Sequence, residues 1–62
     1  MNTQKIVRYA VAVCEDCRED GEVNLTALEE QVVAHFDLDN TEFEGNDISF
    51  LIFKELERQK LL

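Results

Sequence analysis

Proline and tryptophan are absent from this 62-residue chain, and glycine occurs only twice, at Gly21 and Gly45. Without proline and with so little glycine, helix breaks and sharp turns have few places to occur, so long helices are favoured. No run of 18 apolar residues exists, which excludes a membrane-spanning helix. Histidine occurs once, as His35, and no serine or cysteine nucleophile is set against it by spacing. With no catalytic constellation, we expect no enzyme activity and no cofactor. Basic residues are also scarce: six lysines and arginines face fourteen acids, for a net charge of −8. That balance argues against a phosphate-binding surface and against direct nucleic-acid binding, and it allows a basic partner. The first residues lack the charged and apolar regions of a signal peptide, so a cytoplasmic protein with reduced thiols is expected.

What the chain does contain is a strongly apolar first segment, Ile6 to Cys17. At 100° per residue its apolar side chains spread over roughly 200°, about twice the usual stripe of an amphipathic helix. Such a helix needs cover from two sides. Asn2 or Thr3 can cap it, and Gly21 can stop it in a left-handed conformation, which predicts a first helix over about 3–19. VNLTALEE starts a second helix, with either Asn24 as cap or Thr26 in a capping box with Glu29. Leu25, Leu28, Val32 and Phe36 then repeat on one face, so this helix should span about 24–37. Asp37 to Asn46 reads as a polar linker in which Leu38 and Phe43 tuck back onto the core. Asn46 or Asp47 caps a last helix over about 47–61, whose inner face is Ile48, Leu51, Ile52 and Leu56. ISFLIF has strand-like composition, but KELERQK directly after it favours the helix.

The expected fold is therefore all-α: one small domain, residues 1–62, of three helices, packed as a homodimer. A chain this short buries only about 60% of its unfolded surface, and a second copy is one common means of stabilising such chains. Val7, Val11, Cys14, Phe50 and Phe53 are the candidate contacts for that copy or for another apolar partner.

Three motifs have chemical readings that the spacing weakens. Cys14 and Cys17 form a CxxC, the spacing of redox pairs and zinc sites. Near the acidic end of a helix their thiol pKa values would rise, and zinc, which needs four ligands, finds only His35 as a conventional third unless two copies pool four thiolates. Core cysteines are the preferred assignment, and no metal is expected. Asp37 and Asp39 match the first and third positions of a calcium loop, but Glu42 stands where glycine is needed and Ile48 where the bidentate glutamate belongs. Three short helices also raise a helix-turn-helix transcriptional regulator, in which the last helix would enter the major groove with three bases against two acids.

Charge is the strongest remaining signal. Between Glu15 and Asp47, twelve carboxylates meet one base, Arg18. Glu15, Asp16, Glu19, Asp20 and Glu22, followed by Asp37, Asp39, Glu42 and Glu44, form an acidic belt. The expected function is a non-enzymatic interaction module that docks this belt on a basic protein surface, such as that of a nucleic-acid-binding protein, and so acts as a regulator or inhibitor. In size and charge alone the chain resembles the small regulatory proteins of bacteriophages and mobile elements. The alternative is a structural or assembly role for the apolar face, with the acids serving solubility.

Overall fold

The computed structural model describes residues 2–62, and 72% of these residues are helical. Helix α1 spans Thr3–Val13, capped by Asn2, whose Oδ1 accepts from the Lys5 N–H at 3.2 Å. It ends well short of the expected residue 19. Cys14–Cys17 tightens into a 3-10 turn, and the chain then forms an antiparallel hairpin, β1 (Arg18–Glu19) and β2 (Glu22–Val23), with Arg18 opposite Val23 and Glu19 opposite Glu22. The two turn residues, Asp20 at φ 53° and Gly21 at φ 86°, both occupy the left-handed region. Asp-Gly is the dipeptide that suits a two-residue hairpin turn, so Gly21 serves a hairpin here and not a helix stop. Leaving the helix axis also removes Glu19 and Asp20 from the negative end of a macrodipole, where each would cost about 0.3–1 kcal/mol.

Arg18 fastens this corner. Its guanidinium donates to Glu15 at 2.7 and 3.2 Å, to the Gly21 carbonyl at 3.0 Å and to the Leu61 carbonyl at 2.8 Å. One side chain thus ties the 3-10 turn, the hairpin and the C-terminal residues together. The Asn24 N–H closes the corner by donating to the Cys17 carbonyl at 2.7 Å.

Helix α2 spans Leu25–Phe36, and its cap is Asn24, which accepts from the Ala27 N–H at 3.1 Å. It ends with Asp37 in the left-handed region and the Leu38 N–H bonded to the Val33 carbonyl, a Schellman-type stop using aspartate where glycine is usual. The expected linker then holds a further helix, α3 (Asn40–Gly45). Asp39 and Glu42 build a reciprocal capping box there, which gives even a six-residue helix a defined start. Helix α4 spans Ile48–Arg58 and confirms the helical assignment of ISFLIF. It stops three residues earlier than expected. Lys60 adopts φ 59° and the Leu61 N–H returns to the Leu56 carbonyl, so Leu61 can fold back onto the core.

Among the described residues the architecture is thus four α-helices and a two-stranded hairpin in place of three helices. Both α2 and α4 pack on α1, which supplies the two-sided cover its apolar arc requires. Ile6, Ala10, Cys14 and Cys17 meet Leu28 and Val32 of α2 and Ile48, Ile52 and Leu56 of α4 in one core. Tyr9, Val7, Val11 and Val13 are half-buried at its edge. No polar or charged residue is buried among the described residues, so this core is apolar throughout. None of their helices is long and apolar enough to cross a membrane.

Candidate interaction surface

The belt residues are all exposed, but the fold divides them between two places. Glu15 and Asp16 lie on the 3-10 turn and Glu19, Asp20 and Glu22 on the hairpin, where Glu19 faces Glu22 across the strand pair. Like charges placed opposite one another destabilise a strand pair, so this arrangement does not serve the stability of the hairpin. Asp37, Asp39, Glu42 and Glu44 surround α3, which packs on α4. Among the described residues only three ion pairs form: Arg18–Glu15, Lys54–Glu57 and Arg58–Glu55. Eleven of the fourteen side-chain carboxylates therefore have no cation beside them among the described residues. Hydrogen bonding to Arg18 lowers the Glu15 pKa, and hydrogen bonding first to Arg58 and then to Gln59 lowers that of Glu55.

The candidate apolar contacts separate into three environments. Cys14, a candidate contact for a second copy or apolar partner, is fully buried in the core of this chain. Val7 and Val11 line a mixed groove of about 480 Å3 between α1 and α4, together with Leu51, Arg8 and Arg58. Phe50 and Phe53 lie elsewhere, 60% and 38% exposed, in an open groove of about 520 Å3 formed by α2, α3 and α4. Leu25, Phe43 and Ile52 complete its apolar floor, and Glu29, Glu44 and Asp47 rim it beside Ser49. Among the described residues no base lines this groove. Glu29 accepts a hydrogen bond from the Ser49 hydroxyl, which holds one acidic rim residue against the first turn of α4.

Glu29, Asp47, Leu25 and Phe43 thus belong with Phe50 and Phe53 although the belt and contact assignments omitted them. The available signal was the failure of Phe50 and Phe53 to fall on the inner face of the last helix. What they would meet could not be read from that pattern, because their groove neighbours come from three separate helices.

The CxxC thiols sit in the core, with Cys14 fully buried and Cys17 4% exposed. Burial raises both pKa values, with neighbouring carboxylates adding to the rise: Glu15 at Cys14 and Asp16 at Cys17. Protonated, enclosed thiols are poor nucleophiles and poor metal ligands. Gln31 Nε2 donates to the Cys17 Sγ at 3.3 Å, a further sign of a packed residue. Among the described residues no three His, Cys, Asp or Glu side chains converge as a metal site would require.

His35 stacks on Tyr9, with centroids 3.9 Å apart and planes 12° from parallel, and Phe36 meets both rings edge-on. The imidazole therefore belongs to an aromatic cluster joining α1 and α2. No hydroxyl or thiol is hydrogen-bonded to it among the described residues.

No protein-family model, curated protein or solved structure matches this chain.

Proposed function

We propose that this chain is a non-enzymatic interaction module whose acidic surface docks on a basic surface of another protein in a reducing cytoplasm, and that it regulates or inhibits that partner by occupying the surface. The observation that supports this reading is the set of eleven carboxylates with no cation beside them among the described residues. Surface charge of one sign raises association rates and orients the encounter more than it adds affinity, which suits a module acting on an oppositely charged site. A basic protein surface is often one that handles nucleic acid. The pairing of Lys54 and Arg58 with glutamates of their own helix weakens the competing helix-turn-helix reading, since both bases on α4 are already engaged.

The test is affinity capture from lysate with the wild-type chain and with a variant carrying Glu19→Gln, Asp20→Asn and Glu22→Gln. Expected is a basic protein that elutes between roughly 100 and 500 mM salt and is lost with the variant. Capture that survives both neutralisation and salt would refute the acidic-docking reading.

One observation favours a second reading, in which apolar contact, including a homodimer, makes the functional interface: Phe50 stands 60% exposed. Sedimentation of the wild-type chain and of Phe50→Ser distinguishes the two, because an apolar dimer should dissociate in the variant.

A further inference from the structure

The groove of α2, α3 and α4 combines two features that the belt residues on the hairpin do not share. Its floor is aromatic and aliphatic, with Phe43, Phe50 and Phe53 presented together, and its charged rim is wholly acidic, with Glu29, Glu44 and Asp47. We infer that this groove seats a short amphipathic helix of the partner, with apolar side chains on the three phenylalanines and flanking lysines or arginines against the three carboxylates. This inference rests on the interaction-module reading above and names the segment it would take.

Charge complementarity decides between the possible occupants. A second copy of this chain would have to place its own net charge of −8 on an acidic rim, and two such grooves meeting about a twofold axis would oppose carboxylate to carboxylate. An anionic lipid surface or a nucleic-acid backbone meets the same repulsion. A basic polar strand would satisfy the rim but leave Phe50 in water. Only a ligand that is apolar along one stripe and cationic beside it uses both features, and helices meet grooves in this way through anchors spaced at i, i+3, i+4 and i+7. The exposed aromatic is the kind of residue that supplies much of the binding energy once a partner desolvates it. Helix α3 suits a wall that adjusts to its ligand, since none of its residues is fully buried and its start depends on the Asp39–Glu42 box.

The experiment uses fluorescence anisotropy with three labelled peptides of about 16 residues, long enough for the anchor spacing of a groove-binding helix. The first carries leucines at i, i+3, i+4 and i+7 with flanking lysines, the second has glutamates for the lysines, and the third has serines for the leucines. The first peptide should bind the wild-type chain at least about tenfold more tightly than either control. Phe50→Ser should cost about tenfold with an unchanged circular dichroism spectrum, and Glu44→Gln with Asp47→Asn should weaken binding and flatten its salt dependence. Equal binding of the first and third peptides, equal binding of the first and second, or indifference to Phe50→Ser would each overturn the proposal. So would a wild-type dimer that Phe50→Ser dissociates, since the groove would then belong to a second copy. The hairpin variant Glu19→Gln, Asp20→Asn, Glu22→Gln separates the two levels. If that variant keeps lysate capture while the groove still takes the first peptide, the belt reading falls and the groove stands. If capture depends on the hairpin acids and the groove takes no peptide, the module stands and this inference falls.

Discussion

Replacing Asp39 with alanine should melt α3 while leaving the rest of the fold in place. Asp39 is the cap of that helix, accepting the Glu42 N–H at 2.7 Å, while Glu42 Oε1 accepts the Asp39 N–H at a longer 3.4 Å. Asp39→Ala deletes the shorter bond and the negative charge at the N-terminus. Loss of a cap costs about 1 kcal/mol, within a range of about 0.5–2, and loss of the charge costs about 0.3–1 kcal/mol more. A total of about 1–2 kcal/mol raises the local open population by a factor of about 5 to 30. Three features confine the effect: α3 has six residues, none of them fully buried, and a helix this short is marginal without its context. Amide hydrogen exchange followed by NMR reads it directly. Amides within and just after α3, such as Phe43 and Asn46, which bond the Asp39 and Glu42 carbonyls, should exchange about 5 to 30 times faster, while those of Leu28 and Val32 should not change. Acceleration below about threefold, or equal acceleration in α2, would refute the idea that the box governs α3 alone.

Leu28 is fully buried where α2 meets the core, so Leu28→Ala should cost about 2–5 kcal/mol. For 62 residues the whole stability is on the order of 3–9 kcal/mol, and a urea titration should show the midpoint falling by at least about a fifth. Glu55, whose pKa the Arg58 hydrogen bond lowers, should keep its charge below the ordinary value of 4.5, and Arg58→Ala should return it toward that value in a carbon-detected NMR titration. Because the folded-state pKa is the lower one, this pair helps the fold above 4.5 and loses its effect as pH falls through the folded value; an unmoved Glu55 would contradict the bond. The Cys14 and Cys17 thiols, raised chiefly by burial, should react slowly with a disulfide reagent at pH 8 and quickly in urea. As pH rises past 9.0 the unfolded thiols ionise while the buried ones hold their protons, so stability should decline there, and a flat profile would show that the thiols are not enclosed.

Much of the fold was legible locally. Asn2 and Asn24 cap the helices that their positions suggested, and the inner faces of α2 and α4 follow helical spacing, because a cap bond or an apolar stripe is closed by residues three and four apart. Two local signals were present but outweighed. Asp20-Gly21 specifies a hairpin turn, yet the apolar run from Ile6 to Cys17 suggested that the helix continues to residue 19. Asp39 and Glu42 have capping-box spacing, yet the polar composition around them suggested a linker.

By itself the sequence determined the helical character of the chain, the starts of its first two helices, the apolar stripe of each longer one and the acidic excess, since all of these depend on composition or on neighbours within a turn. Only the tertiary structure decided that α1 is covered from both sides within one chain. It also decided that Arg18 reaches Leu61 across 43 positions, and that Phe43, Phe50 and Phe53 share a groove with Glu29, Glu44 and Asp47. Those meetings join segments distant in sequence, and they follow from how the helices close over a shared apolar core, a choice made by packing and not by any local bond.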